Sequence, residues 1–167
     1  TVSKPSNYSE SYPAVVCPPT LNGLTSQISI SSRKTQYQRL ENRSSKTLPF
    51  NVLRFPVSKD SLVITAEGTT PLIWQSRAGS WAGGTLCSGP SAAAWFVGGT
   101  ANVTTRGRLM LINSGLSDAI VDIQSYTENA KQPIKSVNLK SKSYMQLSID
   151  SLAPGDKALA VQVIPRS

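Results

Sequence analysis

Across its second half this chain alternates aliphatic and polar residues with a period of two, and few folds accommodate that pattern. Ala119, Val121 and Ile123 alternate with Ile120, Asp122 and Gln124, and Tyr126 keeps the polar-face register. Val137 and Leu139 alternate with Ser136, Asn138 and Lys140; Met145, Leu147 and Ile149 alternate with Tyr144, Gln146 and Ser148; Leu159, Val161 and Val163 alternate with Ala158, Ala160 and Gln162. Successive side chains of a strand point to opposite faces, so each run predicts an antiparallel strand with one face buried. Asn113-Ser114-Gly115, closing the apolar run Leu109-Met110-Leu111-Ile112, and Leu152-Ala153-Pro154-Gly155-Asp156 supply turns between such runs.

The first half carries the same signal in shorter bursts. Ile28 and Ile30 alternate with serines, Leu62-Val63-Ile64 reads as a buried run, and Leu72-Ile73-Trp74 follows the breaker Gly68-Thr69-Thr70-Pro71. Hydroxyl and β-branched residues are abundant and suit a pleated, half-buried surface, while long Ala/Leu/Glu/Lys stretches that would make helices are missing. A chain of 167 residues fills one core and is short for two ordinary domains. The expected fold is all-β: an antiparallel β-sandwich, immunoglobulin-like or similar, of roughly nine to eleven strands. It would form a single domain over residues 14–167, behind an extended polar segment at residues 1–13.

Cys17 and Cys87 are the two cysteines, and neither sits in a zinc-ligand spacing. One intramolecular pairing exists for them. The residues support a disulfide in an oxidising compartment first and a pair of buried free thiols second. No run of eighteen apolar residues occurs, so no span is expected within the chain. Thr1 stands where a Met would open a nascent chain, and the expectation is a processed protein whose leader or anchor lies outside these residues.

Seventeen basic against nine acidic residues give a net charge of +8, spread from Arg33, Lys34, Arg39, Arg43 and Lys46 to the Lys131–Lys142 stretch. Such an excess attracts any polyanion without choosing among them. Only Tyr37 interleaves with the first basic stretch, which argues against a specific nucleic-acid groove.

With no histidine in the sequence, Ser-His-Asp and Cys-His catalytic constellations are excluded. Nucleotide-cradling glycine loops and the Gly-x-Ser-x-Gly elbow are missing too. Ser31-Ser32-Arg33-Lys34 matches the Ser-x-x-Lys arrangement in which a desolvated lysine activates a serine, yet its companion elements are absent. Asp118 and Asp122 share strand parity, but the first falls in a turn and the second is expected on the solvent side, a poor calcium or glycosidase pair. Asn7, Asn42 and Asn102 each head a glycosylation acceptor triplet. The reading is a non-enzyme without metal or cofactor.

Gly79-Ser80-Trp81-Ala82-Gly83-Gly84 and Trp95-Phe96-Val97-Gly98-Gly99 pair aromatics with glycines around Cys87. The first expectation is that Trp81 and Trp95 pack over the disulfide as a plug of the core. The second is that Trp74, Trp81 or Trp95 stand exposed as ligand-binding platforms for a sugar ring.

The stretch Trp81…Cys87-Ser88-Gly89-Pro90…Trp95-Phe96-Val97-Gly98-Gly99 leads into Leu109-Met110-Leu111-Ile112-Asn113, then Ala119-Ile120-Val121, Leu152-Ala153-Pro154-Gly155 and Ala158-Leu159-Ala160-Val161. Taken with the early Cys17-Pro18-Pro19, it resembles an actinobacterial family of secreted or membrane-anchored proteins known only as a domain of unknown function. The likeness covers most of the chain and is strongest from residue 81 onward. It implies an envelope location, a Cys17–Cys87 disulfide, no catalytic residues, and a front portion of a longer protein. Function is therefore expected to be that of a non-catalytic extracytoplasmic structural or interaction module of the bacterial cell envelope. Its partner would be an envelope protein or an anionic or glycan cell-wall polymer, and the alternative is a carbohydrate-binding module using exposed tryptophans.

Overall fold

The structure, a computed structural model, describes residues 14–30, 35–42, 44–47, 54–57, 59–66, 70–91, 93–99, 101 and 107–166. Residues 1–13, the Ser31–Lys34 motif and the acceptor asparagines Asn7 and Asn102 lie outside them.

The fold is all-β and every pairing is antiparallel, with one single-turn 3-10 segment at Ile149–Ser151. The strands fall into four sheets. β1 (Val15–Cys17), β6 (Leu62–Ala66), β3 (Thr35–Arg39) and β4 (Lys46–Thr47) make one sheet in that order. β5 (Arg54–Val57), β2 (Thr25–Ser29), β7 (Leu72–Arg77) and β8 (Trp81–Leu86) make a second. A third runs β12 (Lys135–Leu139), β11 (Ala119–Thr127), β14 (Leu159–Arg166), β9 (Ala94–Gly99), and β10 (Arg108–Asn113) pairs with β13 (Ser143–Ser148) in the fourth. These fourteen strands among the described residues exceed the number expected, because β1, β4 and β5 are short pieces without legible alternation.

Apolar burial explains why the sheets stack. Leu62 and Ile64 from the first sheet meet Ile28, Val57 and Ile73 from the second, with Cys17 and Cys87 in the same cluster. Leu109 and Leu111 from the fourth sheet meet Val121, Ile123, Leu139, Leu159, Val161 and Val163 from the third, and Met145 and Leu147 pack against them. Each cluster lies between two sheets, so the architecture is sandwich-like, and the apolar residues gather in two clusters that share no member.

The local signals of the sequence act as read. Leu62, Val63 and Ile64 are all buried, and β13 and β14 follow their alternation, whereas β11 is buried on both faces from Val121 to Ser125. At the predicted turn after β10, the Asn113 side chain accepts from the Gly115 N–H (2.9 Å) and donates to the carbonyls of Ser117 (2.9 Å) and Leu139 (3.1 Å). Asp118, in the same turn, bonds the Lys140 ammonium at 2.7 Å and the Ser141 N–H at 2.9 Å. The Lys140 hydrogen bond, then that of Ser141, holds the Asp118 carboxyl below its ordinary 3.8. The same bond raises Lys140. A depressed carboxyl contributes stability above its unfolded value and loses it as pH falls through the folded one. A carbon-detected titration is expected to place Asp118 below the ordinary carboxylate range, and Lys140→Ala to raise it part of the way back, since the Ser141 N–H bond remains. Titration at or above the ordinary value would refute the pairing.

The disulfide connects facing sheets at their edges. Cys17 ends β1, Cys87 directly follows β8, and their Cα atoms are 4.7 Å apart. Reciprocal bonds from the Val16 N–H to the Ser88 carbonyl (2.8 Å) and back (3.0 Å) accompany it, so the chain crosses between sheets at this point. A disulfide suggests an oxidising, extracytoplasmic environment. Among the described residues no helix is long and apolar enough to cross a membrane.

Candidate functional site

The aromatics and glycines flanking Cys87 form two edge strands, β8 and β9, of different sheets. In the β7–β8 register Trp74 stands opposite Gly84 and Gln75 opposite Gly83. Parity places Trp81 with Gly83 and Trp74 with Gly84, on opposite faces of the sheet. A Cβ on Gly83 would come within 2.8 Å of a Trp81 ring carbon, and one on Gly84 within 3.2 Å of two Trp74 ring carbons. The double glycine is thus the place where the backbone of β8 runs between two indoles. Side chains at either position would displace a ring.

β9 carries the third tryptophan. Trp95 pairs with Gln162 of β14, and its ring centroid lies 5.3 Å from that of Tyr126 on β11, tilted by 30°. The Lys131 ammonium stands over the Tyr126 ring at 5.7 Å, a cation–π distance. A bulge follows: Val97 pairs with Ala160 and Gly99 with Leu159, leaving Gly98 as the extra residue at a φ of 81° that glycine tolerates.

These positions correct the expected core plug. Trp81 and Trp95 are 53% and 55% exposed, and neither belongs to a buried cluster. Their edge strands leave one flank without a neighbouring strand, so large side chains there find too little protein to cover them. Trp74 is exposed as well, at 47%. The three tryptophans do not share one surface, because Trp74 and Trp81 face opposite ways and Trp95 belongs to another sheet.

Other polar candidates settle differently. Asp122 has outward parity but is buried, accepting from Ser136 at 2.6 Å and pairing with Arg166 near the end of β14. That corrects its expected solvent-side position: neighbouring side chains on β12 and β14 cover it. Asp118 and Asp122 therefore have separate cationic partners. Among the described residues no cluster of His, Cys, Asp or Glu could hold a metal ion. Gln124 is buried beneath the segment after β11 and donates to the Gln132 carbonyl. Period-two reasoning found the faces of Tyr126 and Gln124, but their partners Trp95, Lys131 and Gln132 come from other segments and leave no local trace.

Comparison with known proteins returned no matching curated protein and no matching solved structure. A family model matches residues 61–167, which takes in β6 to β14, the three tryptophans and Cys87. On that match, covering more than half of its residues, the chain belongs to a family of unknown function, DUF5719.

Proposed function

We propose that this chain is a non-catalytic, extracytoplasmic interaction module of the bacterial cell envelope. The observation that carries the reading is the exposure of large apolar side chains on two edge strands: Trp81 and Leu86 on β8, and Trp95, Phe96 and Val97 on β9. Consecutive exposed large apolar side chains, as in Trp95-Phe96-Val97, are a mark of interaction surfaces, whereas single scattered ones need no explanation. Edge strands also offer free backbone donors and acceptors to a partner. The Cys17–Cys87 bond supports an oxidising location, and the resemblance to secreted or anchored actinobacterial proteins supports the envelope of such a bacterium. The absence of histidine supports a role without acid–base chemistry.

Immobilised protein is expected to retain a defined component from solubilised envelope. Val97→Asp, at a position 79% exposed, should abolish that retention without changing the unfolding midpoint. Equal retention by the variant, or none by the parent, would count against the proposal.

A second reading, a carbohydrate-binding module, is favoured by one observation: all three tryptophans have solvent-facing rings. Retention on polysaccharide in place of protein would select it.

A further inference from the structure

The geometry points to the outer face of the β5-β2-β7-β8 sheet, centred on Trp74, as a binding site for an uncharged glycan chain; it rests on the carbohydrate-binding reading and gives it a location and a ligand class. The indole of Trp74 lies flat on the sheet. An ideal Cβ on Gly84 would be 3.2, 3.2 and 3.4 Å from three of its ring carbons, near-equal distances that put the ring's face over the glycine. The opposite face looks outward.

The surroundings can be read row by row from the register. Trp74 shares its row with Gln27 and Pro56 on one side and Gly84 on the other. Thr25, Ser76 and Ala82 make the next row, with the Thr25 and Ser76 hydroxyls 2.9 Å apart. Ser29, Leu72 and Leu86 make the row on the opposite side, which reaches Arg54 at its far end. Every side chain described on these rows, from Thr25, Gln27 and Ser29 to Ser76, Ala82 and Leu86, is uncharged, in a chain of net charge +8.

That composition suits a sugar. A pyranose has an apolar C–H face that stacks on an aromatic ring and a rim of hydroxyls that bond amides and alcohols. Trp74 supplies the first contact, while Gln27, Thr25 and Ser76 supply the second. An acidic polymer would gain little here, since none of the side chains described on these rows carries a positive charge. Trp95 is the poorer platform: its ring rests on Tyr126, whose own face is occupied by Lys131.

The test is retention of the full chain on immobilised β-1,4-glucan, chitin, mannan and galactan, beside polygalacturonate and heparin as acidic probes. The expected result is binding to at least one uncharged polysaccharide, changed by less than about twofold between roughly 0.05 and 0.5 M salt. Trp74→Ala should weaken it by at least about tenfold and Trp95→Ala by less than about twofold, both with the parental circular dichroism spectrum. Retention on acidic probes alone, on no uncharged polysaccharide, or undiminished in Trp74→Ala overturns the inference. In those cases Val97-dependent capture of an envelope protein would leave the interaction-module reading standing, and loss of both would remove both.

Discussion

Replacing Cys17 and Cys87 together by alanine is expected to lower the unfolding free energy by about 4 kcal/mol, most of what a small domain has to spare. The two residues are separated by 70 positions, and the bond denies the unfolded chain the freedom of that loop. Both side chains are buried, so alanine leaves no unpaired polar group behind. The native state loses a tie as well, because β1 has three residues and, among the described residues, pairs only with β6 and, through Val16, with Ser88. Urea unfolding of the parent and the variant measures the difference, and the denaturant slope should rise because the open chain exposes more surface. A loss below about 1 kcal/mol would show that the staple is decorative.

Ile64→Ala and Ile123→Ala are expected to cost about 3–4 kcal/mol each. Both side chains are essentially sealed from solvent, at 0% and 1% exposure. Ile64 belongs to the cluster with the disulfide and Ile123 to the cluster built on β10 to β14. Because the clusters share no residue, the costs should add in the double variant to within about half a kcal/mol. Hydrogen exchange gives the sharper readout. Ile123→Ala should accelerate the amides of β11 and β14 and spare those of β2 and β7, with the reverse for Ile64→Ala. Uniform acceleration in either variant would mean that one cooperative core governs the chain.

The contrast between the two halves explains what could be read in advance. β14 is buried on one face along most of its length, and the core face of β11 is buried at Val121 and Ile123, so alternation of Val121 and Ile123, or Val161 and Val163, is a sufficient signal for the strands. β3, with Thr35-Gln36-Tyr37-Gln38-Arg39, has no aliphatic residue to alternate and was invisible. Alternation also tells which way a side chain points without naming the sheet it meets, which is why two apolar clusters read as one. For a related reason the sequence leaves the choice between a buried plug and exposed rings to the structure, which exposes all three tryptophans. Size and apolarity favour burial on average, but an edge position is a property of topology, and neither Trp81 nor Trp95 carries a local sign of it. Asp122 shows the reverse case, an outward-facing carboxylate covered by Ser136 and Arg166 from distant segments.

The stretch held in common with the family starts at residue 61, in the middle of a woven structure. Among the described strands β6 hydrogen-bonds only to β1 and β3, and β7 takes one of its two neighbours from β2, all of which come before that point. A protein trimmed to the shared stretch would therefore start on a strand stripped of both flanks, and Cys87 would be left as an orphan thiol. The two sheets built from β9 to β14, with the apolar cluster between them, lie wholly inside the shared stretch, so the boundary cuts through one half of the fold and leaves the other entire.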